Sequence, residues 1–145
     1  MDAVNIRAAT VADYQQVVAL LQSENLPVSD LSPELSHFFV AVNENEIVAA
    51  IGLEYYDQSA LLRSMVTAPP WRNHGLATAL IDKLFEYAKS KAVNKIYIIT
   101  NTAEKYFSQK AFNRIDRSLV DEAVLSSEEF NGLCPSTASI MYRHI

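Results

Sequence analysis

The stretch TAPPWRNHGLATAL, Thr67–Leu80, decides the fold that the sequence predicts. A strand-like run, ALLRSMVT, leads into it, and an amphipathic helical pattern follows it. The next run, KIYIIT, is apolar throughout, which is typical of a strand that is buried on both faces. A strand, a tight loop, a helix and a second buried strand together predict a right-handed parallel βαβ unit.

The loop of this unit has the features of an anion site. The first N–H groups of a helix have no acceptor within it and carry partial positive charge. Gly75 lets a ligand approach the backbone closely, and Ala77 is nearly as small. Arg72 and His74 add side-chain donors. The loop therefore suits a phosphate or pyrophosphate; the alternative is a basic loop with a glycine at a helix start.

Two familiar phosphate loops do not fit this stretch. No GK[ST] follows, so it is not the P-loop of nucleotide hydrolases. The first two glycines of the dinucleotide-binding fingerprint are also missing. A GTP- or NAD-binding domain is therefore the weakest interpretation of the unit.

Composition bounds the rest of the chain. Its 145 residues are enough for one domain, which we place at 1–145, and half of them are hydrophobic. The net charge is −5 with no concentrated basic patch, so we expect no nucleic-acid partner, and an acidic surface tolerates amine substrates. A single cysteine allows no internal disulfide and no multi-cysteine metal site, so no metal is predicted.

Targeting signals are not apparent. The start, MDAVNIRAAT, lacks the basic and apolar regions of a signal peptide. No uncharged apolar run approaches the roughly 18 residues of a membrane span. We therefore expect no membrane association and a cytoplasmic location.

The pattern R-x-x-G-x-A, after a strand that ends near a proline, resembles the acetyl-CoA pyrophosphate loop of the GNAT acetyltransferases. The order of elements is similar to that family from about Ile6 to the end. The resemblance implies an α/β (α+β) fold with a mixed central sheet of about six to seven strands, flanked by helices and splayed at the acetyl-CoA strand. It also implies acetyl-CoA as co-substrate and is compatible with a homodimer.

A narrower resemblance lies in LPVSDL, GLEYYDQSALLRSMVTAP and EEFNGLCPSTASIM. These stretches are similar to the small arsenic-resistance-type N-acetyltransferases, which are related to the acetylating domain of N-acetylglutamate synthases. The implied activity is acetyl transfer to the amine of a small acid-bearing molecule, either an amino acid or an arsenic or phosphorus analogue. The alternative is a non-catalytic GNAT module that binds acyl-CoA.

The family resemblance assigns the cofactor-binding residues. Pantetheine would pair with the backbones of Met65 and Thr67 like an added strand. The N–H of Met65 would then face the thioester oxygen and act as an oxyanion donor, which makes it a catalytic group. The complete predicted cofactor-binding set is Met65, Val66, Thr67, Arg72, Asn73, His74, Gly75, Leu76, Ala77 and Thr78.

Glu54 is the candidate catalytic base. Many GNAT proteins carry a glutamate on the strand before the loop, at the position that is Leu61 here. If the preceding hairpin turns at Asp57–Gln58, side-chain alternation places Glu54, Arg63 and Met65 on one face. The alternative role for Glu54 is a solvated carboxylate near a strand end.

Arg63 is the candidate reader of the acceptor's anion. It lies in mid-strand, two residues before Met65, where a buried charge would be costly without a purpose. Its planar fork matches a carboxylate, phosphonate or arsonate. The small Gly52 would leave room on the same face. The alternative is an internal ion pair, for example with Glu54.

The sequence leaves the general acid and the acceptor undetermined. Many GNAT proteins carry a tyrosine five residues before the aromatic that ends Y-x-x-x-G-F; that position is Phe107 here, with Tyr106 beside it, and the motif's glycine is Ala111. A thiolate whose pKa is near 8.5 can leave without a strong acid, so this loss is tolerable. In LCPSTAS, Ser136 is predicted to line the acceptor site, and Cys134 is predicted to be a buried packing residue.

Overall fold

The computed structural model describes residues 4–26, 28–29, 31–100, 103–125, 127 and 138–145. Within these residues, seven strands form one mixed sheet in the order β1-β2-β3-β4-β5-β7-β6. The strands are β1 (Asn5–Ala8), β2 (Phe38–Asn43), β3 (Glu46–Tyr56), β4 (Ser59–Thr67), β5 (Lys95–Thr100), β6 (Asn113–Arg114) and β7 (Ser139–His144). The helices are α1 (Tyr14–Ser23), α2 (Leu76–Ser90), α3 (Glu104–Gln109) and α4 (Glu122–Leu125). The predicted α/β fold with a mixed central sheet is confirmed.

The chain forms two compact units. The first comprises Met1–Leu53 and Ser64–Tyr87, and the second comprises Glu54–Arg63 and Ala88–Ile145. Each unit has its own apolar core. The assignment of 1–145 to a single GNAT domain stays a prediction.

In the first unit, β1, β2 and β3 pair antiparallel. The turn between β2 and β3 has Glu44 and Asn45 at its centre, with φ angles of 47° and 71°. Positive φ at both central residues is characteristic of the two-residue hairpin turns whose twist matches that of the flanking strands. The polar stretch NENE, residues 43–46, separates two apolar runs, a pattern that predicts a turn, and it forms this hairpin turn.

A capping contact holds the 3-10 turn, Val11–Asp13, that leads into α1. The backbone N–H of Thr10 donates to the Asp13 carboxylate at 2.8 Å, and the three-residue spacing from Thr10 to Asp13 is that of a capping box. Val17 and Leu21 are fully buried in the first core, as their spacing predicts. Helical spacing places Val11 on the same stripe, yet it is 66% exposed. It lies in a 3-10 turn before the helix, so helical spacing does not apply to it.

Asp13 also anchors α1 to the first strand. The Arg7 guanidinium donates to both carboxylate oxygens of Asp13, at 2.7 and 3.0 Å. The hydrogen bond from Arg7 lowers the pKa of Asp13 to about 2, below its usual 3.8. Because the folded-state pKa is depressed, the stabilisation is present above pH 4 and is lost as the pH falls towards 2.

Asp13→Asn should therefore lower the free energy of unfolding by about 2 kcal/mol at pH 7 and by much less near pH 2. The Asp13 side chain is 7% exposed and that of Arg7 is 39% exposed, so solvent partly screens the pair and the effect is smaller than full burial would give. Chemical denaturation across that pH range measures the difference. Asp82→Asn, on the exposed face of α2, is the matched control and should have little effect at any pH. A wild-type advantage that does not change with pH would contradict the assignment.

α2 carries the predicted apolar stripe. Its buried residues are Leu76, Leu80, Ile81, Leu84, Phe85 and Ala88. The charged residues Asp82, Lys83, Glu86 and Lys89 are exposed on the other side. β4 and β5, which α2 connects, run parallel, as the βαβ pattern predicts. Within the described residues, no helix combines the length and the apolar character that crossing a membrane requires.

The second unit is organised around β5. Ile96, Tyr97 and Ile98 are buried in succession, which confirms a strand covered on both faces. The unit's core is made by Leu61, Tyr97, Val120 and Val124. The stretch DEAVLSSEEF, residues 121–130, has a helical pattern, and α4 forms its first part over four residues. Most of the remainder of that stretch lies outside the described residues.

Candidate active site

β4 changes its backbone conformation part-way along its length. Its parallel pairing with β5 reaches Leu62, and the strand continues to Thr67. Ser64 has φ 57°, a left-handed conformation that is uncommon outside glycine and typical of a bulge. Regular side-chain alternation is therefore interrupted between Arg63 and Met65. The prediction that Arg63 and Met65 share one face assumed regular alternation. Because the alternation is interrupted, it no longer supports that prediction.

The end of β4 places three of the predicted cofactor-binding residues. Met65 and Thr67 are half-buried, whereas the Val66 side chain is buried in the first unit. Only backbone atoms of Val66 are therefore suited to contact a ligand. The Thr67 carbonyl accepts a hydrogen bond from Nε of Arg72 at 3.2 Å, which closes the loop back onto the strand.

The loop after β4 is shaped by left-handed residues. A 3-10 turn at Pro69–Trp71 is followed by Asn73 with φ 64° and Gly75 with φ 79°. The first bond of α2 runs from the N–H of Ala79 to the Gly75 carbonyl at 3.1 Å. The N–H groups of the first turn therefore emerge directly after Gly75, where an anion is favoured.

The space above Gly75 is open. A Cβ placed there would have no heavy atom within 4 Å, apart from its chain neighbours. Asn73 and His74 are exposed beside it, while Ala77 and Thr78 are half-buried in the first turn of α2. The Leu76 side chain is buried, so that residue can offer a ligand only its backbone. This combination of open backbone and a helix start fits a pyrophosphate.

Arg72 is already engaged by a carboxylate. Its Nη2 donates to Oε1 of Glu24, the residue that caps the C-terminal end of α1. The Arg72 side chain is 49% exposed and that of Glu24 is 25% exposed. No sequence signal connects these residues, because 48 positions separate them.

A second polar cluster gathers around Glu54. Nη1 of Arg63 donates to Oε2 of Glu54 at 2.7 Å, and the Tyr56 hydroxyl donates to Oε1 at 2.7 Å. The Arg63 side chain is 2% exposed, and that of Glu54 is 27% exposed. The ion pair that the sequence left as an alternative for Arg63 is thus present, and both oxygens of Glu54 accept hydrogen bonds.

Tyr56 is a member of this cluster that the sequence analysis missed. Burial, together with the hydrogen bond to Glu54, raises its pKa above the usual value for a tyrosine. It therefore stays a neutral phenol that donates to the carboxylate. The available signal was alternation, because Tyr56 lies two residues after Glu54 on β3 and shares its face.

The room expected at Gly52 is taken by an aromatic ring. A Cβ at this position would lie 2.4 Å from Cζ of Phe38, the residue that pairs with Gly52 across β2 and β3. The glycine therefore makes room for protein rather than for a ligand. The prediction of an open face at Gly52 is wrong, because it considered β3 without its neighbouring strand.

The remaining positions singled out in the sequence are either buried in the protein or lie outside the described residues. Phe107 is buried, and its ring packs edge-to-face against Phe112 with centroids 5.3 Å apart. Leu61 is buried in the core of the second unit. Neither residue contributes an acid or a base. Ser136 and Cys134 lie outside the described residues.

Comparison with known proteins identifies the family of the chain. The family model described as "Acetyltransferase (GNAT) family" matches residues 7–114. The chain belongs to the GNAT acetyltransferase family. The loop and helix start described above lie within the matched region, and so do Glu54, Tyr56 and Arg63.

Relatives of this GNAT protein include enzymes of named activity. It is 21% identical over 127 residues to the amino-acid acetyltransferase of Escherichia coli K12, covering 81% of this chain and 29% of the relative. It resembles the structure of N-acetylglutamate synthase from Neisseria gonorrhoeae complexed with coenzyme A and N-acetyl-glutamate, with a TM-score of 0.84 and 15% identity. That match covers 99% of this chain and 35% of the other.

A second solved structure is similar over its whole length. It is the PaiA N-acetyltransferase from Thermoplasma acidophilum in complex with coenzyme A, with a TM-score of 0.71 and 13% identity. The match covers 99% of this GNAT protein and 100% of the other chain. Both structural matches establish the fold, whereas the curated relative is about three times longer than the part it shares.

Proposed function

We propose that this GNAT protein transfers the acetyl group of acetyl-CoA to the amine of a small acid-bearing molecule. The observation that carries the proposal is the loop before α2, where the left-handed Gly75 leaves open space over the backbone at a helix start. Acetyl-CoA supplies the activated acetyl group as a thioester. Family membership makes this the natural ligand for such a loop.

The loop and the end of β4 would hold the cofactor. The backbone from Gly75 into the first turn of α2 would donate to the pyrophosphate. Asn73, His74 and Arg72 would add side-chain donors around it. The backbones of Met65 and Thr67 would pair with the pantetheine arm, because β4 continues past its pairing with β5.

Met65 would stabilise the negative charge that develops during transfer. Its backbone N–H directly follows Ser64, whose left-handed φ departs from the regular strand. Bulges of this kind re-aim backbone and side-chain groups and recur beside active sites. A fixed N–H donor aimed at a developing oxyanion needs no reorganisation during the reaction.

Glu54 and Arg63 would serve the acceptor. The amine must be neutral to attack, and Glu54 would remove its proton. An acid group on the acceptor would take the place of the Glu54 carboxylate at Arg63. This exchange keeps a negative charge beside a guanidinium that is 2% exposed, and it turns Glu54 towards the amine. Tyr56 would orient Glu54 through its hydroxyl.

Two relatives support an acid-bearing acceptor. One relative is an amino-acid acetyltransferase, and a solved relative holds N-acetyl-glutamate.

The net charge of −5 suits amines better than nucleic acids. Ser136 is proposed to line the acceptor site, and an arsenic or phosphorus amino acid is the proposed narrower substrate. A cytoplasmic homodimer is the proposed state.

A non-catalytic module that binds acyl-CoA is the second candidate. It is favoured by Phe107, which is buried in the core where many GNAT proteins have a tyrosine acid. Leu61 also replaces their usual glutamate and is buried.

Release of the CoA thiol from acetyl-CoA, measured over a panel of amino acids and their phosphorus and arsenic analogues, separates the two candidates. We expect release that depends on an acid-bearing amine and saturates with it. Calorimetry run in parallel reports whether coenzyme A binds. Binding without amine-dependent release would identify the non-catalytic module, and the absence of both would remove the proposed function.

A further inference from the structure

The guanidinium of Arg72 lies where a loop and a helix end meet within the first unit. Its Nε bonds to the Thr67 carbonyl, and its Nη2 bonds to Glu24 at the end of α1. The Glu24 carboxylate is therefore paired with the guanidinium that the loop would otherwise offer to a bound anion.

Another anion can replace Glu24 in this ion pair. The Arg72 side chain is about half exposed and that of Glu24 is a quarter exposed. Ion pairs in such surroundings contribute little net stability, because water competes for both charges. A pyrophosphate offers more charge and several acceptor oxygens to the same planar fork. A phosphate group can thus displace the Glu24 carboxylate at small cost.

We propose that Glu24 is a built-in competitor for the cofactor's pyrophosphate at Arg72, and that it sets the affinity for coenzyme A. The inference rests on the proposed function of the loop. While Glu24 holds Arg72, the cofactor must break an ion pair in order to use the guanidinium. The free thiol product leaves more readily for the same reason, because Glu24 recaptures Arg72 as the product departs.

Glu24→Gln should tighten coenzyme A binding by about three- to fivefold, which is the scale of an exposed ion pair. Calorimetry in low salt measures this difference. Pantetheine, which lacks the phosphates, should bind the variant and the wild type equally. The gain in coenzyme A affinity should shrink in 1 M salt, because the Debye length is then about 3 Å and interactions between exposed charges are screened.

Glu86→Gln is the matched control. It removes the same charge from an exposed position on α2, about 15 Å along the helix from its first residue. Its coenzyme A affinity should equal that of the wild type. A general effect of net charge would instead tighten binding in both variants and would overturn the proposal.

The double variant tests whether Glu24 acts through Arg72. In an Arg72→Ala background, Glu24→Gln should no longer tighten binding. A gain that persists there, or unchanged or weaker binding in Glu24→Gln alone, would overturn the competition. If the wild type binds coenzyme A and Glu24→Gln binds it no more tightly, this inference is wrong and the proposed function stands. Wild-type protein that does not bind coenzyme A removes both.

Discussion

Glu54→Gln should lower kcat at pH 7 by about 100- to 1000-fold, within the range for loss of a general base. The acceptor's α-amine has a pKa near 8, so most of it carries a proton at neutral pH and needs a base. The loss should shrink as the pH rises, because the amine then supplies its own neutral form. Acetyl-transfer rates measured from pH 6.5 to about 9.5 would show the convergence.

Two controls separate this chemistry from structural damage. Glu54→Gln also removes a carboxylate from beside the buried Arg63, so its unfolding free energy must be measured alongside the rate. Tyr56→Phe removes one hydrogen bond to Glu54 but keeps the carboxylate and its contact with Arg63. It should lose much less activity. A loss in Glu54→Gln that does not vary with pH would exclude Glu54 as the base.

Arg63→Ala should abolish the preference for an acid-bearing amine over its amide. In the proposed site, the acceptor's acid would replace Glu54 at a guanidinium that is almost fully buried. Loss of such a charge contact from a desolvated site costs about 2–5 kcal/mol in binding the transition state. The ratio of kcat/KM for an amino acid and for its amide, in wild type and variant, measures the effect.

Arg63→Lys should restore this preference only in part, because a point charge lacks the two-pronged geometry of the guanidinium. Affinity for acetyl-CoA should barely change, since its proposed contacts are the loop and the end of β4. Equal losses for the acid and the amide would show that Arg63 serves only as the partner of Glu54.

Local patterns predicted much of this fold. The apolar stripe of α2, the buried run of β5 and the polar turn at NENE depend on neighbours that are close in sequence. The open backbone at Gly75 was also predictable, because glycine has no Cβ to cover it. These features are decided within one element or one turn.

The contacts around the candidate site depend on residues far apart in sequence. Glu24 reaches Arg72 only after α1 and the loop have been positioned by the first core. Phe38 fills the space over Gly52 because β2 pairs with β3 in one register. The left-handed φ of Ser64 could not be predicted, because this conformation is expected at glycine or asparagine and not at serine. The surrounding structure must therefore hold Ser64 in place.

The central claim is acetyl transfer to the nitrogen of a small acid-bearing amine. The most direct measurement supplies acetyl-CoA with an equimolar mixture of an amino acid and its amide and identifies the products by mass spectrometry. We predict an N-acetyl amino acid in excess over the acetylated amide by at least about tenfold. Release of the CoA thiol without any acetylated amine, or equal acetylation of both acceptors, would contradict the claim.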